Sequence, residues 1–321
     1  MIEFLRTIFS VWEFRPGVYL PLGVMLYLYL RGWFRLRSIQ RQIAHQRRRQ
    51  RWRLPRRKEP LATPWRLVSY LVGWLALFVA LTSGLDAYSS MFFFVHMIQH
   101  LLLVMVAPPL LWLAEPYAIG TWGMPRVVRL EMSSLLAQGA PLRRLLQLIG
   151  RPGLTWLVMV VVMWVWHDGS MYNLTLRYQW VHDLEHILFF VTGLYFWWMV
   201  IGAAPRMYRF TPMTRALFLL ASVPPNALLG ISIALAEEPI YTYYESVPRL
   251  WGVSVMADQQ WGGILMWVWG SMMFMMAALI SAALYFIEEE KKKVLPQSEW
   301  DGDNALLIPG FESQDLSKRK T

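Results

Sequence analysis

The sequence predicts an all-α, polytopic membrane helix bundle of about seven transmembrane helices, with the N-terminus outside and the C-terminus cytoplasmic. Two observations lead there. Seven apolar segments of roughly bilayer length recur along a 321-residue chain that is 56 % hydrophobic. The basic residues are also sorted. When the segments alternate in sense, every Lys and Arg except Arg6, Arg15, Arg177 and Arg249 falls on one side, which the positive-inside rule makes cytoplasmic.

The first segment, about 17–34, is the weakest, because Pro16, Gly17, Pro21 and Gly23 interrupt it and Arg31 cuts it short. If it does not cross, the N-terminus moves inside and the other six keep their sense. Before it, "MIEFLRTIFSVWEF" mixes acid with base and has no small-residue cleavage site, so no removable signal peptide is expected. After it comes "RGWFRLRSIQRQIAHQRRRQRWRLPRRK", which holds 12 of the 31 Lys and Arg. Next to an apolar segment this reads as a cytoplasmic loop against anionic headgroups, and nucleic-acid binding is set aside. The remaining segments are 65–84, 90–113, 153–168, 181–202, 214–236 and 259–286. Pro108, Pro109, Pro224 and Pro225 are expected to break the third and sixth of the seven. Trp164, Trp166, Trp180, Trp197 and Trp198 read as interfacial belts. The organisation is then a span with its basic loop (1–64), a six-helix core (65–286) and a charged, poorly ordered tail (287–321).

Chemistry enters with "FFFVHMIQHLLLVMVAPPLL", residues 92–111, where two histidines and a glutamine sit inside an apolar run. Polar groups in such a run need a partner or a function. His45 lies in the basic loop and is given no role. The other five histidines, His96, His100, His167, His182 and His186, all fall at the outer ends of their segments on a topology drawn from arginines alone. "HMIQH" and "HDLEH" repeat His-x-apolar-(Gln/Glu)-His, and residues four apart share a helix face.

Convergent neutral imidazoles suit copper, zinc or iron. The five histidines are therefore the expected metal ligands, with Gln99, Asp168, Asp183 and Glu185 as acceptors for the remaining ring N–H groups. Met97 is the best placed of several methionines that could add a thioether, although packing explains each of them singly. Asp258 and Gln259 open the last segment level with the histidines, where Asp258 could join the site, cap its own helix or pair with Arg249. With no cysteine in the chain, disulfides, Cys-ligated zinc and iron–sulfur clusters are excluded.

Three stretches, "HMIQHLLLVMVAPPLL", "WHDGSMYNLTLRYQWVHDLEHILFFVTGLYFWW" and "PIYTYYESVPRLWGVSVMADQQWGGILMWV", resemble in order and spacing the CtaG-type assembly factors of bacterial cytochrome c oxidase. The resemblance covers roughly residues 65–286. It departs at Asp168-Gly169, where members often have Pro soon after the Trp-His, and at Gln179-Trp180, where they have His-Pro. It implies a multi-pass protein of the bacterial plasma membrane that helps mature an oxidase, with copper insertion as the expected step and oxidase subunits as partners. The family's histidines fall on His96, His100, His167, His182 and His186, and its last motif on Asp258 and Gln259. The reading is a metallochaperone, not an enzyme. A histidine-box di-iron oxidoreductase is the main rival, although such boxes typically carry more histidines and a His-His doublet. A copper transport or resistance protein and a haem-binding cytochrome stand behind it.

Overall fold

The computed structural model describes residues 11–50, 60–206 and 208–291. Among the described residues the regular structure is helical, with one isolated bridge between Trp12 and Ser83. Twelve α-helices run in order as α1 (Pro16–Gln50), α2 (Pro64–Thr82), α3 (Gly84–Ser89), α4 (Phe93–Leu113), α5 (Pro116–Gly123), α6 (Arg126–Leu135), α7 (Pro141–Ile149), α8 (Pro152–Trp166), α9 (Gly169–Arg177), α10 (Gln179–Ile201), α11 (Pro212–Ala234) and α12 (Val255–Glu290). Proline opens α2, α5, α7, α8 and α11, where its missing N–H costs nothing.

Five of these, α2, α4, α10, α11 and α12, are long and apolar enough to cross a membrane, and α7 with α8, bent by 67°, makes a sixth if the pair counts as one span. The architecture is that of a multi-pass membrane protein. The expected first span is not among the five or six. Its apolar stretch is helical, but prolines, tyrosines and Arg31 dilute it. The basic stretch expected to be a loop from residue 31 is helix as far as Gln50. The rest of that stretch, the N-terminal "MIEFLRTIFS" and the tail beyond Lys291 lie outside the described residues.

The expected proline breaks do not occur. Helix α11 runs unbroken through Pro224 and Pro225, and α4 passes Pro108 and Pro109 after a π-helical turn at Leu102–Val106. Tryptophan explains why. Pro108 and Pro109 leave the Val104 carbonyl without a helical donor, and the Trp197 indole donates to it at 2.9 Å. Pro225 frees the Ala221 carbonyl, and the Trp156 indole donates to it at 3.2 Å. Trp197 is therefore a buried donor, not a belt residue. Trp166 and Trp198 are also buried, whereas Trp164 and Trp180 are exposed as a belt requires.

The core is apolar and aromatic, centred on Leu77, Leu103, Phe189, Phe196, Trp197 and Phe274. Many exposed side chains are also large and apolar, such as Ile187, Leu217, Leu228 and Leu279, as lipid-facing helix surfaces should be. Glycine allows two close crossings. A Cβ at Gly230 would come within 2.6 Å of the Trp267 amide nitrogen, and one at Gly32 would run into the Ile119 carbonyl. The first crossing seats α12 on α11, and the second clamps α1 to α5.

At one end of the bundle, the start of α4, the end of α8 and the start of α10 lie together. Helices α3 and α9 and two short 3-10 turns, Thr242–Glu245 and Leu250–Gly252, cover that end. All five predicted histidines are there.

Candidate metal centre

Helix α4 contributes His96 and His100, and α10 contributes His182, Glu185 and His186. His167 closes α8 as its last, non-helical residue. All six side chains are buried. The rings form one continuous cluster: centroids lie 4.2 Å apart for His96–His100, 4.1 Å for His182–His186, 5.4 Å for His96–His186 and 5.7 Å for His100–His167. Within it, ligand atoms of His96, His182, Glu185 and His186 all lie within 4.8 Å of one another.

Hydrogen bonds decide which nitrogens carry protons. The Tyr244 hydroxyl donates to the Ser89 carbonyl at 2.8 Å, because a carbonyl can only accept. Its oxygen then accepts from Tyr172, 3.0 Å away. Having spent its proton, Tyr172 must accept from His96 Nδ1, at 2.6 Å. Burial raises both phenols above their ordinary range, so both hold their protons. His96 is therefore the Nδ1–H tautomer, with the Nε2 lone pair aimed at the cluster. His167 is fixed likewise: Nδ1 donates to the Met163 carbonyl at 2.6 Å, leaving Nε2 bare.

Those inward-facing atoms meet chiefly one another. His96 Nε2 faces His186 Nε2 at 3.2 Å and Glu185 Oε2 at 3.6 Å, and His100 Nε2 lies 3.7 Å from Glu185 Oε1. Both Glu185 oxygens, both His100 ring nitrogens, His167 Nε2 and His182 Nε2 are buried without a hydrogen bond. Each such group costs about 1–3 kcal/mol if nothing satisfies it. Two imidazole nitrogens on one tetrahedral ion, with bonds of about 2.0–2.1 Å, lie roughly 3.3 Å apart, close to the observed His96–His186 spacing of 3.2 Å. The residues fit a metal ion.

The remaining predicted residues turn elsewhere. Gln99 and Glu185 hold equivalent places in their motifs, yet only Glu185 faces the cluster. The Gln99 amide donates instead to the Ala80 carbonyl and to Asp86, at 2.8 and 2.7 Å. Asp183 pairs with Arg15 and accepts from Gln179. Asp168 caps α9, accepting from Ser170 and Met171. Asp258 neither joins the cluster nor caps its own helix, which Ser254 does. It caps α4, accepting from the Phe93 and Phe94 amides at 3.0 and 2.9 Å, and is paired with Arg249 at 2.8 Å. Gln259 accepts from the Ile240 amide and so ties down the covering loop. Met97 is packed among Phe93, Tyr172 and Met266.

The family model of the cytochrome c oxidase caa3 assembly factors, Caa3_CtaG, matches residues 27–286. The chain belongs to this family. The match bears out the resemblance carried by the three histidine and aspartate motifs, and it begins earlier than they do, inside α1. The chain is also 30 % identical over 210 residues to uncharacterised proteins of Mycobacterium bovis and Mycobacterium tuberculosis, and 30 % identical over 216 residues to one of Mycobacterium leprae. Each match covers 63 % of this chain and 31 % of the relative, so the chain spans about a third of the length of these relatives. No solved structure matches it.

In this Caa3_CtaG member, sequence reasoning missed Tyr172, Tyr244 and Asp86. Tyr172 stands in the quoted "WHDGSMYNLTLRYQWVHDLEH", five residues past His167, and Tyr244 in "PIYTYYESVPRLWG". A tyrosine inside a motif otherwise built on His and Asp was the available signal.

Proposed function

We propose that this chain assists cytochrome c oxidase assembly by holding a copper ion as cargo and passing it to an oxidase subunit. The ion sits among His96, His182, Glu185 and His186, with His100 at the edge. The observation that carries the reading is the convergence of three buried imidazoles and a carboxylate, with His182 Nε2 and both Glu185 oxygens unpartnered, at one end of a helix bundle in this family. Transfer is ligand exchange, in which a partner with a better or more numerous ligand set takes the ion. In this reading α1 adds a seventh crossing, and the histidine end faces the outside of the bacterial plasma membrane. The basic residues of α1 then lie against anionic headgroups at the cytoplasmic face.

Deletion of the gene tests the role. The oxidase then assembles with haem but without its copper, and an oxidase with full copper content overturns the assignment. Glu185 favours one second reading, because a carboxylate among histidines also suits iron. Iron in the purified protein together with oxygen consumption would mark an oxidoreductase instead.

A further inference from the structure

The four-residue group leaves two imidazoles unexplained. His100 and His167 are buried, with both ring nitrogens of the first and Nε2 of the second unpartnered. Both line a void of about 20 Å³, room for one water- or ion-sized body. Its other walls include Met97, Met105, Met163 and Met266. These residues come from three helices: Met97, His100 and Met105 from α4, Met163 and the closing His167 from α8, and Met266 from α12. The three-residue spacing puts Met97 and His100 on one helix face, and the His167 ring turns back to the Met163 carbonyl at 2.6 Å.

Packing accounts for buried methionine as gap filler. It does not account for bare imidazole nitrogens gathered at the same void. Thioether and imidazole together form a soft donor set without a carboxylate, the kind that selects Cu(I) over harder ions. His100 joins the two regions, since its Nε2 is also 3.7 Å from Glu185 Oε1.

We infer that His100, His167 and the surrounding methionines form a second, softer metal site that takes Cu(I), next to the nitrogen–carboxylate group. The inference rests on the proposed handling of copper, and it divides that task between a harder nitrogen–carboxylate site and an adjoining thioether site. No redox step is needed, because the ion is supplied as Cu(I).

The test uses full-length protein in detergent micelles, loaded with Cu(I) under reducing conditions and with Co(II) in a parallel sample. X-ray absorption at the copper edge should show sulfur as well as nitrogen neighbours. Selenomethionine labelling, which leaves the fold unchanged, should convert the sulfur neighbours to selenium. Exchanging Met97, Met105, Met163 and Met266 for the nearly isosteric Leu should abolish the sulfur signal while Co(II) uptake at the other group stays unchanged. Copper with only nitrogen and oxygen neighbours in a wild-type protein that binds Co(II) normally overturns the thioether site and leaves the proposed function standing. Sulfur-bound Cu(I) in a wild-type protein that binds no Co(II) supports the thioether site and counts against the nitrogen–carboxylate group.

Discussion

The phenolic oxygen of Tyr172 lies 2.6 Å from Nδ1 of His96, a residue 76 positions earlier in the chain. This contact, continued through Tyr244 to the Ser89 carbonyl, settles the His96 tautomer and points its lone pair at His186 and Glu185. A chain of hydroxyls thus reaches the centre without contributing a ligand.

Tyr172→Phe removes the acceptor for His96 Nδ1–H and frees the ring to choose the wrong tautomer. Copper affinity should fall about 10–100-fold. Competition titration against a chelator measures this, and circular dichroism should show an unchanged helix content. Tyr244→Phe, one bond further out, should give a smaller loss in the same direction.

Trp197→Phe leaves the Val104 carbonyl without a donor, since Pro108 and Pro109 cannot supply one. The expected destabilisation is about 1–3 kcal/mol, read from unfolding in detergent. Adding Pro108→Ala restores a backbone N–H in reach of that carbonyl and should recover part of the loss, a coupling that a double-mutant cycle detects.

Gly32→Ala places a methyl group where the Ile119 carbonyl stands and should force α1 away from α5. Protease sensitivity of the α1–α5 contact should rise, while metal binding at the opposite end of the bundle stays unchanged.

Asp86, in the short α3, has its carboxyl raised above its ordinary value by burial, against the opposing pull of Gln99 and Arg15. Such an acid holds its proton more tightly folded than unfolded. Its contribution to stability therefore declines as pH rises from the unfolded value, about 3.9, through the higher folded one. Melting curves of wild type and Asp86→Asn across this range should show the wild type losing ground to the variant as pH rises. The reverse slope would mean that the Arg15 pair outweighs burial.

Periodicity and charge made much of this legible in the sequence. The segment expected at 181–202 is the helix Gln179–Ile201, and 90–113 is Phe93–Leu113. The i,i+4 histidines meet because residues four apart share a face whatever surrounds them. What a helix does not encode alone is its rotation against its neighbours. That rotation sends Gln99 to Asp86 while Glu185 faces the cluster, and it carries Asp258 to amides 164 and 165 residues away. The first segment stands apart from the longer apolar helices because proline, tyrosine and arginine dilute its apolar residues, and the basic run continues its helix as far as Gln50 because arginine is a good helix former.

Cu(II) binding by the purified protein, followed by electron paramagnetic resonance, puts the central claim to the most direct test. The account predicts a bound ion with splitting from imidazole nitrogens, and loss of that signal in the His96→Ala, His186→Ala double variant. A wild type that binds no copper, or a double variant with unchanged copper content and spectrum, would contradict it.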